Sequence, residues 1–244
     1  MQALINAGGK GTRMGRCGIE KPMQMIGDKP TVQRVLDALQ ASKNIDKVFV
    51  SVSDHTLCTE EYLKGMGVET IRTSGESFMD DLHASFKRME GDFVLTCPSD
   101  LPLLTTDVVD RFIEYFNPRV MDSAIAVVDE RTVRGIGITP SYTREERGNS
   151  WVLSGLCIMN RQKTLAGDYL EEYLFDTNWP ELAVNVNTPR ELDLARSFFR
   201  ERSSRPLCRG RSPPPSSRGP QRLSSLRSWR RLRRTSLRSR LLPL

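Results

Sequence analysis

The chain has few of the residues that build metal or disulfide frameworks. Its five cysteines stand at 17, 58, 97, 157 and 208, none of them in a CxxC pair, and there are only two histidines, His55 and His83. That scatter argues against a structural zinc site, and an odd, unpaired cysteine count suits a reducing cytoplasm. No run approaches the ~18 apolar residues of a membrane span, and the N-terminus enters a strand-like segment rather than a signal peptide. A cytoplasmic location is therefore expected.

Acidic residues are also missing from one stretch. Ser203–Leu244 contains twelve arginines and no lysine, aspartate or glutamate. Removing those twelve from 36 basic residues leaves 24, against all 30 acidic residues, so residues 1–202 carry a net −6 although the whole chain is +6. The basic total is thus no nucleic-acid footprint of the folded part. The tail is almost wholly Arg, Ser, Leu and Pro, a composition that cannot bury a core and repels itself. It is expected to be disordered, either a basic arm for nucleic acid or acidic lipid, or an out-of-frame extension past the natural end of the domain. Residues 1–202 are expected to form one domain.

What is present is an alternation of short apolar strands and helices. Strands are expected at Gln2–Asn6, Lys47–Val52, Glu69–Arg72, Asp92–Thr96, Ser123–Val128, Trp151–Asn160 and Leu182–Val186. Helices are expected at Thr31–Ser42, Glu60–Met66, Phe78–Met89, from a Thr105 or Thr106 cap to Phe116, at Gln162–Leu174 and at Pro189–Arg202. Asp129–Gly148 is polar and shows no clear period. The alternation predicts an α/β fold: a Rossmann-like, mostly parallel sheet with helices on both faces, whose ligands sit at the carboxyl ends of the strands.

Two distinctive segments fall at such ends. After Asn6 comes Ala7-Gly8-Gly9-Lys10-Gly11-Thr12-Arg13-Met14-Gly15, and Lys21-Pro22 follows closely. This is neither GxxxxGK[ST] nor GxGxxG, yet glycines let backbone N–H groups approach phosphates, and Arg13 and Lys21 can neutralise a triphosphate. After Thr96 comes Cys97-Pro98-Ser99-Asp100, which puts a carboxylate at a second strand end. Asp100 is either a magnesium anchor or a turn aspartate. Gly155 interrupts an apolar strand, as at a bulge, a packing contact or a ligand's close approach. Both histidines and Cys97 read as ordinary residues.

The pattern AGGKGTRMG…EKP resembles the N-terminal signature of sugar-nucleotide and cofactor nucleotidyltransferases. Four segments in order are similar to the molybdenum-cofactor guanylyltransferase-like enzymes, and within them to the archaeal GTP:adenosylcobinamide-phosphate guanylyltransferases. They are the glycine loop, Thr73-Ser74-Gly75 with Asp80-Asp81-Leu82, Ser99-Asp100-Leu101, and Asn185-Val186-Asn187-Thr188-Pro189. The resemblance spans residues 1 to about 200 and implies a nucleotide-diphospho-sugar transferase-like fold.

It further implies transfer of GMP from GTP to adenosylcobinamide phosphate, with Mg²⁺ as cofactor and a homodimer compatible with the sequence. Arg13, Lys21 and Asp100 would be catalytic, with Asp100 on the metal. Gly8, Gly9, Lys10, Gly11 and Thr12 would hold phosphates, and Thr73, Ser74 and Gly75 would lie near the base or ribose. Asp80 or Asp81 would read the base, and Gly155 would lie near the acceptor. Asn187 would orient metal or phosphates, or else cap the last helix. Molybdenum-cofactor or sugar-phosphate transfer, and a catalytically inactive nucleotide-binding module, are the alternatives.

Overall fold

The computed structural model describes residues 1–15, 18–146, 148–204 and 221–222, with side chains described up to residue 201. The chain runs β1 (Gln2–Asn6), a hairpin of β2 (Met25–Ile26) and β3 (Lys29–Pro30), α1 (Thr31–Gln40), β4 (Lys47–Val52), α2 (Leu57–Gly65), β5 (Glu69–Arg72), α3 (Phe78–Phe86) and β6 (Phe93–Pro98). It continues through α4 (Thr106–Tyr115), β7 (Ser123–Asp129), α5 (Glu130–Gly135), β8 (Thr143–Glu146), β9 (Asn149–Asn160), α6 (Arg161–Ala166), β10 (Glu172–Thr177), α7 (Pro180–Ala183), α8 (Pro189–Ser204) and β11 (Gln221–Arg222).

Among the described residues the main sheet has the order β11-β10-β7-β9-β6-β1-β4-β5, with β8 pairing β9 outside that path. β6, β1, β4 and β5 are parallel neighbours, as are β10 and β7. β9 lies antiparallel between β6 and β7 and joins the two parallel parts. The expected mostly parallel α/β sheet is thus present with one long strand reversed.

Period-2 burial builds one large core on one face and two smaller clusters on the other. In β1, Ala3 and Ile5 point to one side and Leu4 to the other; in β4, Val48 and Val50 oppose Phe49. The larger core receives α1 through Val32, Val35, Leu36 and Leu39, and α4 through Val108, Val109 and Phe112. These are the helical spacings visible in the sequence. The smaller core receives Leu82, Phe86 and Met89 against Leu4, Phe49 and Ile71. Side-chain caps start the helices: Ser77 Oγ accepts from Asp80 N, Thr105 Oγ1 from Val108 N, and Asn160 Oδ1 from Lys163 N.

Two expectations are corrected. The helix expected at Gln162–Leu174 is only Arg161–Ala166, because Gly167 takes a left-handed conformation (φ 76°) and ends it. Glu172–Thr177 then forms a strand, with Tyr173 and Phe175 in the larger core and Leu174 on the other face. The strand expected at Leu182–Val186 is a helical turn begun by Pro180, followed by an extended, unlaced segment whose Val186 N–H donates to Asp100 O. The segment Asp129–Gly148, unassigned from sequence, contains α5 and β8. Of the arginine tail, Ser203 and Ser204 continue α8 and Gln221–Arg222 form a strand beside β10; the rest, with the disorder expected of it, falls outside the described residues. No helix among the described residues is long and apolar enough to cross a membrane.

Phe86 is fully buried in the smaller core. Phe86→Ala is expected to lower unfolding free energy by about 3–5 kcal/mol, read as a shifted urea midpoint at unchanged slope.

Candidate active site

The carboxyl ends of β1 and β6 lie side by side, with Asn6 opposite Pro98, and Ser99 N–H donates to Asn6 O. Above them opens a cleft of about 250 Å³ lined by Asn6, the glycine loop from Gly9 to Arg13, Lys21, Ser99, Asp100 and Asn187. Residues from both ends of the chain therefore face one space.

Lys21 is the hub. Its Nζ lies 2.5 Å from Asp100 Oδ2 and donates to Asn187 Oδ1 at 2.8 Å. Arg13 reaches the same Asn187 oxygen at 2.9 Å and Ser141 Oγ at 3.1 Å. Asp100 is only 8% exposed, so the pair is largely withdrawn from water. Its other oxygen accepts from Asn185 Nδ2 at 3.1 Å, and that amide nitrogen also donates to Ser154 O. One ammonium thus sits between a carboxylate oxygen and an amide oxygen, which face a common point a cation can occupy.

Backbone and cap geometry hold these groups. Thr31 Oγ1 donates to Pro22 O, pinning the Lys21–Met23 turn to α1. Just before Lys21, the Glu20 carboxylate accepts from Cys58 N, Thr59 N and Thr59 Oγ1 at the start of α2. At α8, Glu191 Oε2 accepts from Asn187 N and Thr188 N, and Glu191 N donates back to Thr188 Oγ1, a reciprocal box that fixes Asn187.

β9 contributes through an irregularity. Its register with β7 shifts between Ile125 and Val127, so Ser154–Leu156 stand opposite Ala126 alone. Ser154 Oγ bridges the gap, donating to Ala126 O and accepting from Leu156 N. The bulge frees Ser154 O for Asn185, which in turn steers Asp100. Gly155 lies in this bulge, where a Cβ would sit 3.0 Å from Pro98 Cγ.

The flank toward β4 and β5 is a second network. Gly75 has φ 72°, and a Cβ there would lie 2.6 Å from Ser53 Oγ and 2.7 Å from Gly8 O. Only glycine lets the Thr73–Gly75 loop press against the glycine loop. Asp81 fixes that loop by accepting from Ser74 N, Ser74 Oγ and Gly75 N. Asp80, by contrast, is exposed on the first turn of α3. Beside them Glu76 joins Lys10 Nζ at 2.7 Å and His55 Nε2 at 3.2 Å. Lys10, then His55, holds the Glu76 carboxyl below its ordinary range, so it stays ionised. Away from the cleft, His83 contacts Leu165 O, and burial pushes the Cys97 thiol well up, which suits a neutral packing residue.

The cleft thus brings together Gly9, Lys10, Gly11, Thr12, Arg13, Lys21, Asp100 and Asn187. Gly8, Thr73, Ser74 and Gly75 form its β4 side, Gly155 lies on the opposite side, and Asp80 stays apart. Sequence reasoning missed Ser141, Glu76 and Glu191, and gave Glu20 no role beyond its place in the EKP pattern. Glu191 was discoverable, since Thr188-Pro189-Arg190-Glu191 reads as a capping box; Ser141 and Glu76 depend on tertiary contact alone.

Converging cations and one carboxylate over a glycine loop suit transfer at a nucleoside triphosphate, and the protein is a nucleotidyltransferase. More narrowly, the chain belongs to the MobA-like NTP transferase domain family, which matches residues 3–211. The adenosylcobinamide-phosphate guanylyltransferase of Methanocaldococcus jannaschii is 28% identical over 212 residues, covering 82% of this chain and 98% of that protein. The molybdenum cofactor guanylyltransferase of Shewanella loihica is 22% identical over 204 residues, covering 78% and 93%. A solved putative glucose-1-phosphate thymidylyltransferase from Bacillus anthracis has a TM-score of 0.62 at 14% identity, covering 82% of this chain and 96% of its own. The fold is that of the nucleotide-diphospho-sugar transferases, and the family resemblance read from the motifs holds.

Two substitutions probe the supports. Gly75→Ala should cost about 1–3 kcal/mol of unfolding free energy, because the side chain meets both a left-handed backbone and Gly8 O. Glu191→Ala should cost about 0.5–2 kcal/mol through the lost cap, and steady-state kinetics should show turnover falling more than nucleotide affinity as Asn187 loses its anchor.

Proposed function

We propose that the protein transfers GMP from GTP to adenosylcobinamide phosphate and releases pyrophosphate. The observation that carries the transfer chemistry is the convergence of Arg13, Lys21, Asp100 and Asn187 on the glycine-loop cleft. The choice of GTP and the cobinamide acceptor is supported by the near full-length similarity to the Methanocaldococcus guanylyltransferase. The Thr73-Ser74-Gly75…Asp80-Asp81-Leu82 segment supports the same branch.

In this reading an oxygen of the acceptor phosphate attacks the α-phosphorus of GTP while the bond to the β-phosphate oxygen breaks in line. The protein's task is positioning and charge neutralisation rather than covalent chemistry. Backbone N–H groups of the Gly8–Thr12 loop hold the β- and γ-phosphates. Arg13 and Lys21 offset charge at the α-phosphoryl group and on the departing pyrophosphate. The Thr73–Gly75 side receives the nucleoside, and the Ser141 and Gly155 side receives the acceptor.

Asp100 would hold Mg²⁺ with the Asn187 amide oxygen beside it. The donor set fits: the two oxygens already share one cationic partner, and magnesium bound through one carboxylate takes its remaining ligands from phosphates and water. When bound, the ion supplies further neutralisation of triphosphate charge.

The test is pyrophosphate release with Mg²⁺. GTP, CTP, UTP and ATP are each offered with adenosylcobinamide phosphate, molybdopterin or a sugar 1-phosphate. Release is expected with GTP and the cobinamide alone; turnover with another pair overturns this assignment while leaving the nucleotidyltransferase class intact. Lys21→Ala should lower kcat by about 10²–10³-fold with a much smaller loss of GTP affinity. Equal losses in both would remove Lys21 from the transition state.

A further inference from the structure

The Lys21 ammonium stands where a divalent cation would have to bind. Its two partners are held independently of it. Asp100 is fixed through Asn185 and through its backbone oxygen, which accepts from Val186 N. Asn187 is fixed through Glu191. Removing the ammonium would leave the carboxylate and amide oxygens facing the same point. Lys21's own backbone is equally fixed, with Lys21 O accepting from Gln24 N. Its four-carbon stem is the flexible part.

A divalent ion cannot share that point with an ammonium 2.5 Å from Asp100 Oδ2. Both partners of the ion pair are largely shielded, with side chains 18% and 12% exposed, so water screens the repulsion poorly. Arg13, on the same Asn187 oxygen, adds a second positive charge. Triphosphate oxygens arriving on the glycine loop compete for these cations, because the same cleft contains Lys10, Arg13 and Lys21.

We propose that Lys21 is the resident cation of the Asp100–Asn187 seat, and that nucleotide binding opens the seat by drawing the ammonium onto the triphosphate. Metal binding then follows nucleotide binding. The ion pair occupies Asp100 in the free enzyme, and the carboxylate is released only when a phosphate-bearing ligand is present. This inference rests on the reading of the site as a metal-assisted nucleotidyltransferase.

The experiment measures Mn²⁺ binding to the full chain, following the free aquo-ion signal by electron paramagnetic resonance, first without nucleotide. Wild type is expected to leave Mn²⁺ free at concentrations where Lys21→Met binds one ion at least about tenfold more tightly. That gain should vanish in Lys21→Met/Asp100→Asn, and Lys21→Arg, which keeps the cation, should stay closed. Lys21→Gln replaces Lys21→Met should circular dichroism show the methionine variant unfolded. Asp100-dependent Mn²⁺ binding by nucleotide-free wild type as tight as in Lys21→Met overturns the gate, as does the absence of any gain in a folded Lys21→Met or Lys21→Gln.

A parallel titration adds α,β-methylene-GTP to wild type and Asp100→Asn. If the complex takes up Mn²⁺ in an Asp100-dependent way while the gate fails, the metal reading survives alone. If it does not, both fall.

Discussion

The contact between Lys21 and Asp100 organises the molecule's functional end. It joins a lysine on the turn after the glycine loop to a carboxylate beyond the fourth parallel strand of that half-sheet. A charge pair so far withdrawn from water is tolerated only when the remaining lone pairs are satisfied. Asn185 satisfies the second Asp100 oxygen, and Asn185 is itself oriented by a carbonyl that the β9 bulge leaves unpaired in the ladder. The bulge, the unlaced Val184–Thr188 segment and the α8 cap can therefore be understood as supports for one ion pair. Each element that looks irregular as sheet or helix contributes an atom to it.

The two flanks of the cleft differ in how they are built. Toward β4 and β5, Asp81 gathers three donors of the Ser74–Gly75 loop, and glycine at 75 lets that loop touch the glycine loop. This side is packed and locally determined. Toward β7 and β9, Arg13 reaches across to Ser141, which lies between α5 and β8 in the part of the chain with least periodicity. The β4–β5 flank thus rests on short-range geometry, whereas the β7–β9 flank is framed by longer connections.

Legibility in the sequence followed the same division. The strands β1, β4, β6 and β7, with α1, α3, α4 and α8, could be read because their apolar periods match their burial. The glycine loop, Lys21 and Asp100 could be read because strand ends are where such sheets bind ligands. The span Gln162–Leu174 reads as one helix, but Gly167 ends it, and only pairing with β7 makes Glu172–Thr177 a strand. Val184 and Val186 are β-formers buried without a ladder, so composition alone could not place them. Glu76 and Ser141 gain their meaning from partners 66 and 128 residues away, which no local pattern encodes. Of the two adjacent aspartates, 80 and 81, the sequence offered both, and the first turn of α3 decides which one faces the loop.

The position of Asn187 has a consequence for biosynthesis. Its contacts with Arg13 and Lys21 span 174 and 166 residues, and its anchor, Glu191, belongs to α8. That helix in turn reaches the β2–β3 hairpin, where Arg196 donates to Met25 O, and α1, where Arg34 stacks on Phe199. A ribosome-bound chain can lay down the glycine loop, the parallel strands and Asp100 long before the amide arrives. Until α8 has emerged and docked on the hairpin, the nascent protein has the glycine-loop half of the cleft but not its closing contact, so the cleft is completed only late in translation.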